Sequence, residues 1–302
     1  MKIRIVEVGP RDGLQNEAVA IPTSVKIAII QALLNAGLNE IEATSFVSPK
    51  WVPQLGDAAE LWPELPAGGI YSALVPNMKG LERAISVGVE RIALFTAASD
   101  AFTQKNINMT VDESLEVFGE VAKVFRQARP HGFIRGYVST AFECPYAGKI
   151  APERVMDVAE KLLRLGVDEI SLGDTIGVAS PNEVTTLTKM ALGSIAPERV
   201  VYHFHDTYGT AIANVAAALE LGVTAFDSSA AGLGGCPYAP GAAGNLATDD
   251  LVYFMERQGL ETGIDRTKLA KASLPILEFL GRAPGSKAQL ALLGSLPPAV
   301  GA

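Results

Sequence analysis

Two of the chain's three histidines, His203 and His205, stand two residues apart in the run YHFHDTYG. On a β-strand that spacing turns both imidazoles to one face, and imidazoles sharing a face are a common pair of ligands for a divalent metal. The competing reading is a pair of hydrogen-bonded core histidines. Their place at the end of an apolar run favours ligation. Asp206, next in the chain, either supports a ligand or is a solvated turn carboxylate. The third histidine, His131, lies between Pro130 and Gly132 and reads as an exposed loop residue.

A second set of reactive types occurs in GPRDGLQNE, residues 9–17, directly after the first apolar run. Taken alone, Arg11 and Asp12 are a turn with a surface ion pair. Taken with the histidines, the Asp12 carboxylate can complete a metal site, because hard cations take oxygen. Arg11 beside it can hold a carbonyl or enolate oxygen. Gln15 either assists by hydrogen bonding or is a loop amide. Glu42 sits between Ile41 and Ala43 in an otherwise apolar strand. An unpaired carboxylate there is costly, which makes Arg11 its expected partner. Asp174, closing SLGD, follows the same logic, as a site residue or as a buried hydrogen-bond anchor.

The chain's two cysteines both lie in the tetrapeptide CPYA, at 144–147 and 236–239. Cys144 has no glycine run around it and reads as a packed, inert thiol. Cys236 lies in AAGLGGCPYAPGAAGN, residues 230–245, which holds five glycines. Such a loop should be mobile and cover a site like a lid. A thiol there can give or take a proton at a reacting carbon. Asn245, ending the loop, is either a helix cap or a neutral oxygen ligand.

Elements that would position these groups recur along the chain. Strand-like runs occupy 2–8, 40–46, 70–76, 91–97, 133–139, 168–174, 200–206 and 224–230, with helical spacing between them, as in 23–37 and 151–166. Gly37, Gly88, Gly166 and Gly222 each precede a strand, as helix-ending glycines do. Eight strand–helix units predict an α/β fold, a (β/α)8 TIM barrel. An open doubly wound sheet is the rival, but no glycine-rich turn follows the first strand. Residues 1–302 read as a single barrel domain, with about 246–302 as a C-terminal helical extension. The candidate residues cluster at strand ends, where barrel chemistry gathers.

Composition narrows the function class. A net charge of −8 without a Lys/Arg-rich run argues against nucleic-acid or anionic-membrane partners. Two cysteines make no disulfide framework, and no apolar stretch reaches bilayer length. The opening MKIRIVEVG already alternates like a strand, which leaves no room for a targeting segment. The expected compartment is the cytoplasm.

GPRDGLQNE, IEATSFVSPKWVPQ, YHFHDTYG and the cysteine loop together resemble the 3-hydroxy-3-methylglutaryl-CoA (HMG-CoA) lyase family of bacterial type, from the first strand to about residue 260. Barrel enzymes that condense acetyl-CoA with 2-oxoacids share RDG and HxH but differ in the last loop. The resemblance implies metal-dependent retro-Claisen cleavage of HMG-CoA to acetyl-CoA and acetoacetate, chemistry of leucine degradation. A longer 3-branched analogue as substrate, or a Claisen-type condensation, is the alternative. It further implies Mg²⁺ or Mn²⁺ held by Asp12, His203, His205 and Asn245, with Arg11 on the thioester carbonyl and Cys236 as acid/base. Asp12 or His203 would be the base that takes the hydroxyl proton, Glu42 and Asp174 match positions important for the active site, and a homodimer is expected. Ala230 and Pro240 depart from the family pattern, where Val and Lys or Gln are usual, and Pro240 would stiffen the loop. The sequence also lacks the C-terminal cysteine that serves redox control in animal members.

Overall fold

The computed structural model describes residues 2–235 and 244–295. Among these, eight strands close into a parallel barrel in chain order: β1 (Arg4–Glu7), β2 (Glu40–Ser45), β3 (Ile70–Leu74), β4 (Arg91–Ala97), β5 (Phe133–Ser139), β6 (Glu169–Asp174), β7 (Val200–Phe204) and β8 (Ala225–Ser228). Closure comes from β1 pairing with β8, Arg4 opposite Ala225 and Glu7 opposite Ser228. Every strand falls inside its predicted run. The differences are at the ends, and they matter at β7. That strand stops at Phe204, so His205 stands beyond it in a single antiparallel bridge to Asn245.

Helices cover the outside, among them Thr23–Asn35, Val111–Ala128, Pro152–Arg164 and Pro181–Ser194. The four glycines expected to end helices all have positive φ, between 85° and 102°, which residues with a Cβ rarely adopt. After β8 come Thr248–Arg257, Arg266–Ala272, Leu274–Leu280 and Lys287–Ser295. They are tied to the barrel's helical coat: the Asp265 amide donates to the Ala36 carbonyl at 2.8 Å. No helix among the described residues is long and apolar enough to cross a membrane.

The strands divide their side chains between two environments. In β6, Ile170 and Leu172 join the apolar core, while Glu169 bonds Arg4 and Arg135, and Ser171 bonds Asp227. Arg4 lies on β1 and Asp227 on β8, neither of them next to β6, so these bonds cross the barrel interior. The interior is therefore charged, and each carboxylate meets a guanidinium. Removing one partner of such a buried pair strands the other.

Glu7 closes the top of β1. Its Oε1 accepts the amides of Gly9 and Ala230 at 2.8 and 2.9 Å, and Oε2 accepts the Thr248 hydroxyl at 2.7 Å. Burial pushes this carboxyl up from 4.5 to about 7, against the lowering pull of those hydrogen bonds. The folded protein binds the proton more tightly than the unfolded chain. Its contribution is thus fully present below about pH 4.5 and lost as pH rises through about 7. Glu7→Gln reproduces the protonated acid, with an oxygen for the two amides and an NH₂ for Thr248. The variant should match the parent in thermal melts at the acid end and exceed it by up to about 3 kcal/mol near pH 8. A difference that stays constant across that range would contradict the assignment.

Candidate active site

The GPRDG segment is a single-turn π-helix, Gly9–Gly13, a rare form that is frequent at functional sites. The Val8 carbonyl collects the amides of Arg11, Asp12 and Gly13 at 3.2, 2.7 and 3.2 Å. This turn sets Arg11 and Asp12 over the barrel mouth, opposite the end of β7. There His203 Nε2 lies 3.8 Å and His205 Nε2 3.9 Å from Asp12 Oδ2. One ligand atom from each of the three residues lies within 4.8 Å of the other two.

Asn245 completes the group. Its Nδ2 donates to Asp12 Oδ2 at 2.9 Å and to the Leu233 carbonyl at 3.2 Å. Its Oδ1 is buried without a hydrogen-bond partner among the described residues, as is His205 Nδ1. The cap alternative fails: the helix Thr248–Arg257 starts after Ala247 with no side-chain cap. One carboxylate oxygen, two imidazole nitrogens and an orphaned amide oxygen form a donor set that fits a divalent cation.

Electrostatics agree with the donor set. Burial alone would raise Asp12, but Arg11, then His203 and His205, outweigh it and hold the carboxyl below its usual range. Burial, with His203 nearby, pushes His205 down to about 4, so it is neutral at physiological pH. Burial lowers His203 as well, yet the hydrogen bond to Asp227 and the charge of Asp12 raise it overall.

Arg11 Nε bonds Glu42 Oε1, the partnership expected from the sequence, and its Nη1 bonds Asp12 Oδ1. Gln15 Nε2 also donates to Asp12 Oδ1, at 2.8 Å. The other oxygen of Glu42 accepts the Tyr137 hydroxyl at 3.0 Å. Arg11, Asp12, Gln15, His203, His205 and Gly235 line a cavity of about 700 Å³, whose other walls include Leu74, Phe95, Phe102, Tyr137 and the exposed Trp51.

The HMGL-like family model matches residues 2–276. The chain belongs to that family. Among its HMGL-like relatives is the mitochondrial hydroxymethylglutaryl-CoA lyase of Bos taurus, 50% identical over 288 residues, covering 95% of this chain and 88% of that one. The crystal structure of hydroxymethylglutaryl-CoA lyase from Pseudomonas aeruginosa superposes with a TM-score of 0.94 at 46% identity, covering 98% of each chain. An HMG-CoA lyase of Acinetobacter baumannii, solved in complex with coenzyme A and 3-methylmalate, gives a TM-score of 0.91 at 39% identity, covering 98% of this chain and 97% of that one.

Within this HMGL-like site, other candidates take different places. Both Asp174 carboxylate oxygens accept backbone amides, of Val178 and Ala179 at 3.0 Å, so it anchors the loop after β6. Burial raises its carboxyl to about 6 despite those bonds. Its carbonyl accepts the His205 amide at 3.3 Å, and Gly177 in the same loop crowds the His205 carbonyl so closely that a Cβ would lie 2.9 Å from it. Asp206 accepts the Ala211 amide at 2.9 Å at the start of the helix Ala211–Glu220 and is no support for a ligand. Cys144 is buried and accepts the Ser99 hydroxyl at 3.1 Å. Cys236 and Pro240 lie outside the described residues; Gly235, on the cavity wall, precedes the cysteine. Sequence reasoning passed over Asp227, Arg135 and Tyr137. Asp227 carried the signal that revealed Glu42, a lone carboxylate in an apolar strand.

Proposed function

We propose that this chain cleaves HMG-CoA to acetyl-CoA and acetoacetate, with Mg²⁺ or Mn²⁺ held by Asp12, His203, His205 and Asn245. The observation that carries this reading is the convergence of Asp12, His203 and His205 with Arg11 at one wall of the cavity, with Asn245 hydrogen-bonded to Asp12 behind them. A divalent cation there supplies Lewis acidity toward the substrate's tertiary hydroxyl.

The remaining work falls to side chains. Asp12 or His203 takes the hydroxyl proton. The C2–C3 bond breaks, its electrons pass to the acetyl-CoA enolate, and the former hydroxyl carbon becomes the ketone of acetoacetate. Arg11, fixed through Nε by Glu42, faces the thioester oxygen and stabilises the enolate charge. Cys236 returns a proton to C2. Atoms balance without an oxidant or co-reactant. Asp174 positions His205 through the backbone, and Gln15 steadies Asp12.

The same reading takes residues 1–302 as a single catalytic domain with a helical extension from about 246, acting as a cytoplasmic homodimer on an acyl-CoA substrate. The net charge of −8 speaks against a nucleic-acid partner. The test supplies HMG-CoA and a divalent cation and measures acetoacetate. Stoichiometric acetoacetate and acetyl-CoA are expected. Free CoA released from acetyl-CoA plus a 2-oxoacid, with no cleavage, would overturn the lyase reading in favour of a condensing enzyme.

A further inference from the structure

We propose that Asp227 is the positioning residue that presents His203 to the metal site, gripping the imidazole by Nδ1 so that Nε2 keeps its lone pair for ligation. The proposal rests on the reading of Asp12, His203 and His205 as metal ligands.

The two imidazoles are not equivalent. His203 lies between two carboxylates, with Asp227 Oδ2 at 3.3 Å from Nδ1 and Asp12 Oδ2 at 3.8 Å from Nε2. His205 shows Nε2 to the same Asp12 oxygen, but its Nδ1 is buried without a partner among the described residues. Backbone contacts to Asp174 and Asn245 are what place it. Of the two imidazoles, His203 alone has a side chain bonded to its Nδ1 among the described residues.

Asp227 is suited to that task because it is itself immobilised. It is fully buried on β8, where Arg135 Nη1 donates to Oδ1 at 2.7 Å and the Ser171 hydroxyl donates to Oδ2 at 2.9 Å. Arg135 is in turn held by Glu169 at 2.6 Å. Three barrel strands, β5, β6 and β8, thus converge on one carboxylate, and Tyr137 packs edge-on against the His203 ring at 6.1 Å. An ionised carboxylate can only accept a hydrogen bond, so the Nδ1 facing it must carry the proton. A carboxylate–histidine pair also makes the opposite nitrogen a better ligand, and losing it typically costs 10–100-fold in metal affinity.

Asp227→Asn tests the idea with little change in shape. Arg135 can donate only to the amide oxygen, which turns the NH₂ toward His203 Nδ1 and forces the proton onto Nε2. Two measurements are made: calorimetric titration of Mn²⁺, and nitrogen-15 NMR of the imidazoles in the metal-free proteins. The parent should show His203 protonated at Nδ1. Asp227→Asn should show the opposite tautomer and bind Mn²⁺ about 10–100-fold more weakly. Parent-like affinity and tautomer in the variant would overturn the proposal. So would a metal-free parent with His203 protonated at Nε2, a result that needs no folded variant and leaves the metal reading standing. A parent that takes up no Mn²⁺ yet holds the Nδ1 tautomer would instead sink the metal reading, and the presenting role with it.

Discussion

Asp12→Ala should lower turnover on HMG-CoA on the order of a thousand-fold or more and weaken Mn²⁺ binding in parallel. Asp12 is the hub of the site. Oδ1 accepts from Arg11 and Gln15, and Oδ2 faces Asn245 and both imidazoles. Truncation removes the anionic donor of the proposed set, leaving two imidazoles and an amide oxygen. Lewis-acid stabilisation is worth several kcal/mol at the transition state, and each 1.36 kcal/mol is tenfold in rate, which sets the expected size. Thermal melting controls for folding, and the Mn²⁺ titration separates loss of metal from loss of a base. An undiminished affinity would remove Asp12 from the ligand set.

Cys236→Ser should cut turnover by about 10²–10⁴-fold, the range of general acid catalysis, while leaving Mn²⁺ affinity nearly unchanged. Serine keeps the size and the proton but is far less acidic than a thiol. The proposed metal donors are Asp12, His203, His205 and Asn245, and the role proposed for Cys236 is separate from theirs. The split between turnover and metal binding is therefore the signature of a proton donor. A variant turning over within a factor of about two of the parent would refute that role.

How far the sequence could be read differs from residue to residue, for physical reasons. The barrel was legible because parallel strands covered on both faces are short apolar runs, and because glycines end the helices between them. The His203–His205 pair was legible from its spacing, although β7 ends between the two and a bridge to Asn245 carries the register on. The Arg11–Glu42 bond followed from the cost of a lone buried carboxylate. The π-turn that aims Arg11 and Asp12 has no residue signature, since it depends on one carbonyl, that of Val8, gathering three amides. The cross-barrel bonds from Arg135 to Asp227 and from Tyr137 to Glu42 depend on strand tilt and stagger, which a linear pattern does not encode. Asn245 was ambiguous because caps and ligands use the same amide oxygen. The following helix starts after Ala247 with no side-chain cap, which removes the cap reading, and Asn245 Nδ2 instead bonds Asp12 across 233 positions.

The most direct measurement is acetoacetate production from HMG-CoA by protein freed of metal with a chelator and then resupplied with Mg²⁺ or Mn²⁺. Loss of cleavage on chelation, with recovery on either ion, is the predicted result. Undiminished cleavage by the exhaustively chelated protein would contradict the account.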